Sequence, residues 1–453
     1  MIRHAAADGD SAAARHNRDV AQQVNPPRGM RDFLPAEKAR RERILATIRA
    51  VYRRHGFDEI ETPVAEDSDR LHAGLGGDNE KLAFAILKRG LTTDDFGQAQ
   101  TALDLADLGL RFDLTVPLAR FYASHRAELP SVFRAIQIAP VWRAERPQKG
   151  RYRQFVQCDI DILGEPDVRA EAELLTASLD ALDALGLEGG FIRVNDRRLL
   201  LGMLSSLGFA PEESDGVLIT IDKLDKVGHD GVVAELRERG VTPSAVDALA
   251  AFFRRPQTLE FLPFGEAAIR KALPEGVDEQ AVADLVAIGE AVSAARALDP
   301  GTAVLQFDPF LVRGMGYYTG PIFELAHPSV DYSLGGGGRY DGMIGRFLGS
   351  DVPATGFSLG FERLVELVDL PAAEEADAIA LLHDKDVPLT SLLTLKSELI
   401  ATGARVRLQT KPKNTKAVLA ALEGEGFTAF GFVDAATTLA SLSLRSLGES
   451  PQS

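Results

Sequence analysis

The chain has 453 residues, 45% hydrophobic and 26% charged, and its 50 Lys and Arg against 66 Asp and Glu leave a formal charge of −16. That balance belongs to a folded protein of several domains, and it excludes a disordered chain, a collagen-like chain and a nucleic-acid binder that works by bulk positive charge. The single cysteine, Cys158, excludes an intramolecular disulfide and a cysteine-cluster zinc site; with no long apolar run and no secretory signal in the sequence, no membrane span and a cytoplasmic location are expected.

Residues 1–25 lack apolar periodicity and read as a disordered tail. Ile44, Leu45, Ile48, Val51 and Tyr52 then recur at helical spacing, and Gly56 predicts the stop. Residues 58–64 read as extended, held open by Pro63. Residues 88–108 are polar and weakly periodic, and read as an inserted loop. The 110–114 stretch alternates like a strand; Thr115 is placed to cap the helix that follows, with Pro117 in its first turn. Two strands are predicted between 136 and 163, flanking a charged loop, and a helix over 168–185. Residues 195–300 are mostly helical, with punctuation at Gly208, Pro211, Gly240, Pro243 and Pro256, and read as a separate insertion. Strand-like, glycine-rich sequence returns over 303–364. After a linker at 371–375, strands at 378–382, 405–409 and 428–433 alternate with helices at 390–402 and 415–424. This predicts a small βαβαβ domain with a parallel sheet.

The 155–163 strand carries the strongest chemical signal. Its alternation puts Val156, Cys158, Ile160 and Ile162 on one face and Gln157, Asp159 and Asp161 on the other. Such a polar face is either the floor of a pocket or the solvated side of a one-sided sheet. The loop before it holds five cations in eleven positions, Arg143, Arg146, Lys149, Arg151 and Arg153. Arginine forks match phosphate oxygens. Cations at the mouth and carboxylates on the floor suit two ligands, one anionic and one cationic. Arg313, between an apolar stretch and a glycine-rich turn, marks a second site-like segment or a hairpin with a surface arginine. Gly335 to Gly338 make a ligand-approach surface or a flexible turn. In 356–364 a glycine-rich strand enters a helix with Arg363 in its opening turns.

Together these segments resemble the signature of the histidyl-tRNA synthetases, a class II aminoacyl-tRNA synthetase family. The 27–35 stretch is similar to the family's N-terminal hallmark, and Glu61-Thr62-Pro63 lies in motif 1. Residues 143–161 resemble motif 2 and 356–364 motif 3. Residues 312–318 and 337–342 resemble the two histidine-specific motifs. The resemblance implies an α+β fold. It places an antiparallel-sheet catalytic core in two parts (26–194 and 301–370), a helical insertion between them (195–300), and a C-terminal α/β anticodon-binding domain (371–453).

It also implies roles. Asp113 and Thr115 are similar to residues that hold the substrate α-amino group, and Gln157 and Asp161 to those that read an imidazole. Tyr317 and Tyr318 would line the same pocket. Arg143 and Arg313, the candidate catalytic pair, would contact the carboxylate and the α-phosphate. Glu145 and Phe155 would hold adenine, and Arg151 and Arg363 the outer phosphates. Gly316 stands where many members carry an acid, and Asp113 and Asp161 where relatives often have Glu.

The implied activity is ATP-dependent ligation of L-histidine to tRNA(His) through a histidyl-adenylate, in a cytoplasmic homodimer. Mg²⁺ is expected to arrive with the ATP, with no dedicated protein site. Arg405, Arg407, Lys411, Lys413 and Lys416 would track a tRNA backbone or form a solvated face. One rival is a synthetase-like regulatory subunit of ATP phosphoribosyltransferase in histidine biosynthesis, which generally lacks the last domain and has eroded catalytic arginines. The other is a class II synthetase for threonine or proline.

Overall fold

The computed structural model describes residues 24–71, 82–146, 150–255, 262–296, 304–313, 316–370 and 377–447. Most of the expected tail (1–23), the linker 371–375, Pro256 and the Gly314-Met315 step lie outside them. The residues divide into two compact units. One holds the stretch up to Asp32 and Ile44–Val368; the other holds Phe33–Arg43 and the stretch from Asp369 onward. Among the described residues no helix is long and apolar enough to cross a membrane.

In the first unit the strands run in chain order as β1 (Asp58–Glu59), β2 (Ala65–Asp67), β3 (Phe84–Leu87), β4 (Ala106–Leu110), β5 (Phe133–Trp142), β6 (Gln154–Leu163), β7 (Phe191–Asp196), β8 (Leu262–Pro263), β9 (Leu305–Phe307), β10 (Pro321–Ala326), β11 (Gly335–Arg339) and β12 (Ala354–Gly360). Among the described residues nine of them form one sheet in the order β1-β5-β6-β12-β11-β10-β7-β9-β8. Pairing is antiparallel from β5 through to β7, and parallel between β1 and β5 and between β7 and β9. β6 therefore lies inside the sheet. Asp159 and Asp161 are both 4% exposed, so the solvated-face reading of that strand fails.

Two local expectations are corrected. The 88–108 stretch is not a plain loop. It folds into a helix (Thr93–Gln98), a 3-10 turn (Ala102–Leu105) and β4, which sits between β2 and β3 in a small sheet. Local polar bonds do this. Thr92 and Asp95 exchange bonds as a capping box, and the Asp104 carboxylate accepts from the backbone of Gln100 and Thr101, each at 2.8 Å. Apolar periodicity does not register such bonds.

The strand expected over 110–114 ends at Leu110. Arg111 turns its guanidinium inward, onto the carbonyls of Thr62 (2.8 Å) and Pro63 (3.2 Å). Leu114, not Thr115, holds the N-cap position of the next helix, Thr115–His125, and Asp113 just before it accepts from the Val116 N–H at 3.2 Å.

The insertion is helical as read, with helices at Arg197–Ser206, Pro211–Ile221, Leu224–Glu238, Pro243–Phe253, Glu266–Ala272 and Glu279–Ala295. Pro211 and Pro243 open two of them, where a missing N–H costs nothing. The insertion is not packed apart from the core. Phe252 and Phe253 meet the Phe310 ring edge-on, with centroids 5.7 and 4.9 Å away, just ahead of Arg313.

The second unit follows the βαβαβ expectation. β13 (Ala378–His383), β14 (Arg405–Thr410) and β15 (Ala429–Val433) are parallel, interleaved with helices Leu389–Ala401 and Thr415–Gly424. A fourth strand, β16 (Leu444–Ser446), pairs antiparallel with β15; all three of its residues are exposed, so no alternation announced it. β13 is central and buried on both faces, which its unbroken apolar run reflects.

Candidate active site

The register of the large sheet lays a row of residues across six strands. Gln137 (β5) stands opposite Asp159 (β6), Asp159 opposite Ser358 (β12), Ser358 opposite Gly336 (β11), Gly336 opposite Glu324 (β10) and Glu324 opposite Arg193 (β7). Residues paired across a ladder share a face. Gln157 and Asp161, two positions to either side of Asp159, share it too. Bare backbone beside them makes room. A Cβ on Gly356 would lie 1.9 Å from Asp161 Oδ1, and one on Gly336 would lie 2.8 Å from Arg313 Nη1. The 335–338 glycines thus form a strand inside the sheet, over which functional groups lie flat, rather than a flexible turn.

Three buried carboxylates act on one another over this floor: Asp113, Asp159 and Asp161. Burial pushes Asp113 up to about 6, against the Val116 N–H and the charge of Arg143. Burial pushes Asp161 up to about 7; the Tyr340 hydroxyl opposes this and the charge of Asp113 adds to it. Asp159 is driven well above the usual carboxylate range, first by burial and then by Asp161. Asp113 Oδ2, Asp159 Oδ1 and Gln157 Oε1 are buried without a hydrogen-bond partner among the described residues. Each unpaired buried acceptor costs on the order of 1–3 kcal/mol. The floor is therefore built for a ligand that brings donors and positive charge. Gln157 is held in place by donating to Ser358 Oγ at 3.1 Å. Tyr317, Tyr318 and Tyr340 wall the site, with ring centroids 4.7 Å apart for the first two and 6.0 Å for Tyr317 and Tyr340. Thr115, half-buried, follows Asp113 as the first residue of its helix.

The arginines converge from separate segments. Arg143 donates from Nε to the Phe112 carbonyl at 2.9 Å, and its guanidinium carbon is 5.1 Å from the centre of the half-buried Phe155 ring. Its charge acts on Asp113 and Asp159. Arg313 donates from Nη1 to Glu324 Oε2 at 3.1 Å, and Tyr317 and Tyr318 lie within its electrostatic reach. Arg363 donates to the Ser333 carbonyl and lies over the Tyr332 ring. Its acidity is raised by burial first and then by the positive charges of Arg151 and Arg313. Arg151, exposed, has Glu145 at 3.5 Å. Arg151 and Arg313, from two other segments, thus both act on Arg363, a repulsion that a polyanion would relieve.

Sequence reasoning did not assign Tyr340, Ser358, Glu324 or Glu362 to the site. Tyr340 donates to Asp161, and Glu362 accepts from Arg31 and from the Val156 N–H. These links depend on strand register and on contacts between distant segments, for which spacing carries no signal. Alternation alone places Asp159 on the correct face but assigns it no role.

In the second unit three of the five expected cations lie against aromatic rings. Arg405 and Arg407 lie 4.6 and 4.5 Å from the Phe427 ring centroid, and Arg407 also pairs with Glu425. Lys411 instead sits 5.2 Å from the ring of Phe432, an exposed aromatic that also has Arg445 at 5.8 Å.

The family model described as Histidyl-tRNA synthetase matches residues 29–364. The chain is 58% identical over 434 residues to a histidine–tRNA ligase of Leifsonia xyli subsp. xyli, covering 95% of this chain and 100% of that protein. It is 40% identical over 351 residues to a histidine–tRNA ligase of Aeropyrum pernix, covering 75% and 73%. The crystal structure of histidyl-tRNA synthetase from Nostoc sp. PCC 7120 matches with a TM-score of 0.71 at 25% identity, covering 94% of this chain and 95% of that one. With a family match across both halves of the glycine-floored sheet and a relative alike over its whole length, the chain belongs to the histidyl-tRNA synthetase family.

Proposed function

We propose that this chain ligates L-histidine to tRNA(His) with ATP, by way of a histidyl-adenylate. The unpartnered buried oxygens of Asp113, Gln157 and Asp159 carry this reading, because they call for a cationic ligand rich in donors. Histidine supplies both through its α-ammonium and imidazole. Asp113 and Thr115 hold the α-ammonium, Gln157 and Asp161 read the ring, and Tyr317 and Tyr318 enclose it. On the arginine side, Glu145 and Phe155 hold adenine and Arg151 and Arg363 hold the outer phosphates. Mg²⁺ enters with those phosphates as part of the substrate.

In the first step a histidine carboxylate oxygen attacks the α-phosphorus, and the bond to the pyrophosphate oxygen breaks. Both reactants are anionic. Arg143 and Arg313 offset that repulsion and stabilise the charge that develops in the transition state. In the second step a ribose hydroxyl of the terminal adenosine attacks the activated carbonyl, and AMP leaves. Neither step uses a side-chain nucleophile. Two hydrogen bonds to the imidazole nitrogens would reject apolar mimics by roughly 10⁴–10⁵, so no editing site is needed. The second unit holds the tRNA, and the protein works as a cytoplasmic homodimer, as the family resemblance implies.

Histidine-dependent exchange of pyrophosphate into ATP tests the reading. Exchange with histidine and with no other amino acid is expected. Exchange with threonine or proline instead would reassign the amino acid. Histidine binding without exchange would favour the regulatory-subunit alternative, against which the presence of Arg143, Arg313 and the second unit already weighs.

A further inference from the structure

Arg193 lies on β7, outside the pocket, at the far end of the row that begins with Gln137. Its Nη1 donates to Glu324 Oε1 at 2.8 Å, and the other oxygen of that carboxylate accepts from Arg313. Its Nε donates to Asp308 Oδ2 at 2.8 Å, with Nη2 on the same oxygen. Asp308 opens the segment that delivers Arg313. Its backbone N–H donates to the Val194 carbonyl at 3.0 Å, its Oδ1 accepts from the Phe310 N–H at 3.0 Å, and Asn195 Nδ2 donates to the Leu311 carbonyl at 3.2 Å. One guanidinium therefore grips both the base of the 308–313 segment and the carboxylate that receives the side chain at its end.

The side chains concerned, Arg193, Asp308 and Glu324, are 13%, 7% and 17% exposed, so the bonds are only weakly screened. A further carboxylate, Asp225 of the insertion, lies 3.2 Å from Arg193 but is largely exposed. Holding β7 to β10 does not require the ion pair, since a six-residue backbone ladder already joins them. Gly336, with no side chain, keeps open the space where Arg313 lies.

We propose that Arg193 is a positioning residue for adenylate formation: through Asp308 and Glu324 it sets where the Arg313 guanidinium stands. This rests on the reading of Arg313 as a group that acts at the α-phosphate. A misplacement of about 1 Å at a reacting site can cost on the order of 10²-fold in rate.

The test is steady-state pyrophosphate exchange for Arg193→Met, Arg193→Lys, Arg313→Ala and the double variant Arg193→Met/Arg313→Ala. Arg193→Met is expected to lower kcat by about tenfold or more while the KM for histidine stays within about threefold. Arg193→Lys recovers most of the loss. In the Arg313→Ala background, Arg193→Met costs little more. Losses that multiply, or an unchanged kcat with only a lower melting temperature, would make Arg193 a structural ion pair and overturn the proposal. Near-wild-type exchange by Arg313→Ala would instead overturn the reading of Arg313 itself. If Arg193→Met does not fold, Glu324→Gln carries the same test. The same kcat loss and the same non-additivity with Arg313→Ala are expected, and a wild-type kcat refutes the link.

Discussion

The Tyr340 hydroxyl donates to Asp161 Oδ1 across 2.5 Å, and both groups are buried. The bond fixes one carboxylate oxygen from the strand side and leaves the carboxylate aimed over the floor it shares with Gln157. Asp161→Ala and Gln157→Ala are expected to raise the KM for histidine far more than that for ATP. Steady-state exchange with each substrate varied in turn measures this. Equal effects on both would remove these residues from imidazole recognition.

The same carboxylate makes stability depend on pH in an unusual direction. Its pKa in the folded chain is about 7, above the ordinary 3.8, because burial disfavours the charge. A raised folded-state pKa means that the full contribution to stability is present below about pH 4 and is lost as the pH rises through about 7. A shift of about three units sets a ceiling of roughly 4 kcal/mol, shared in part with Asp113 and Asp159. Asp161→Asn, which keeps an acceptor for Tyr340, is expected to melt higher than wild type at pH 8 without ligand, and to lose most of that advantage near pH 4.5, while binding histidine poorly. A stability difference that stays flat between those two pH values would show that this carboxylate is not held at a cost.

The glycine floor gives a sharper separation of roles. An alanine Cβ at position 356 would fall 1.9 Å from Asp161 Oδ1, whereas one at 336 would fall 2.8 Å from Arg313 Nη1 and 2.5 Å from the Phe323 carbonyl. Overpacking of this kind costs about 1–3 kcal/mol of stability in either case. Gly356→Ala should act chiefly on the KM for histidine and Gly336→Ala chiefly on kcat for exchange. Identical kinetic signatures would mean that the two glycines serve only the strand pairing.

The proposed catalytic pair carries the largest expected effect. Arg143 and Arg313 come from segments far apart in the chain, and each is held by one bond to a neighbour, the Phe112 carbonyl and Glu324. Loss of one donor that acts in the transition state costs about 10²–10³ in kcat. Arg313→Ala should therefore lower exchange by at least about two orders of magnitude, measured at saturating histidine and ATP. A near-wild-type rate would take it out of the chemistry.

How far the site could be read in advance follows from where its information lies. The parity of Gln157, Asp159 and Asp161 is a property of one strand, and so is legible from one stretch of sequence. The cation-rich loop before it is equally local. The helix around Ile44 to Tyr52 and the βαβαβ unit are legible for the same reason, since their periods are carried by neighbouring residues. Glu324 and Ser358 enter only through register: each faces the floor because of which residue lies opposite it on another strand; Tyr340, just past β11, enters through its contact with Asp161. The resemblance alone gives Asp113 a ligand role; its bond to the Val116 N–H carries no signal in the sequence, where the hydroxyl of Thr115 is the more familiar capping group. The helix at Thr93–Gln98 is not legible from apolar spacing, because polar caps hold it.

The proposed tRNA-facing surface of the second unit can be tested apart from the chemistry. Phe432 is 39% exposed on β15, with Lys411 and Arg445 beside its ring, whereas Arg405 and Arg407 are engaged with Phe427. An exposed aromatic flanked by cations suits a stacked base with its phosphate nearby, worth about 1–3 kcal/mol per base. Phe432→Ala is expected to lower kcat/KM for tRNA charging by roughly tenfold and to leave pyrophosphate exchange unchanged. Lys411→Ala should weaken charging uniformly and reduce the slope of log affinity against log salt by about one. The two readouts separate the contributions, since stacking depends little on salt and phosphate contact depends on it strongly. If Phe432→Ala charged tRNA normally, or if it slowed exchange as well, the exposed ring would not be a base platform.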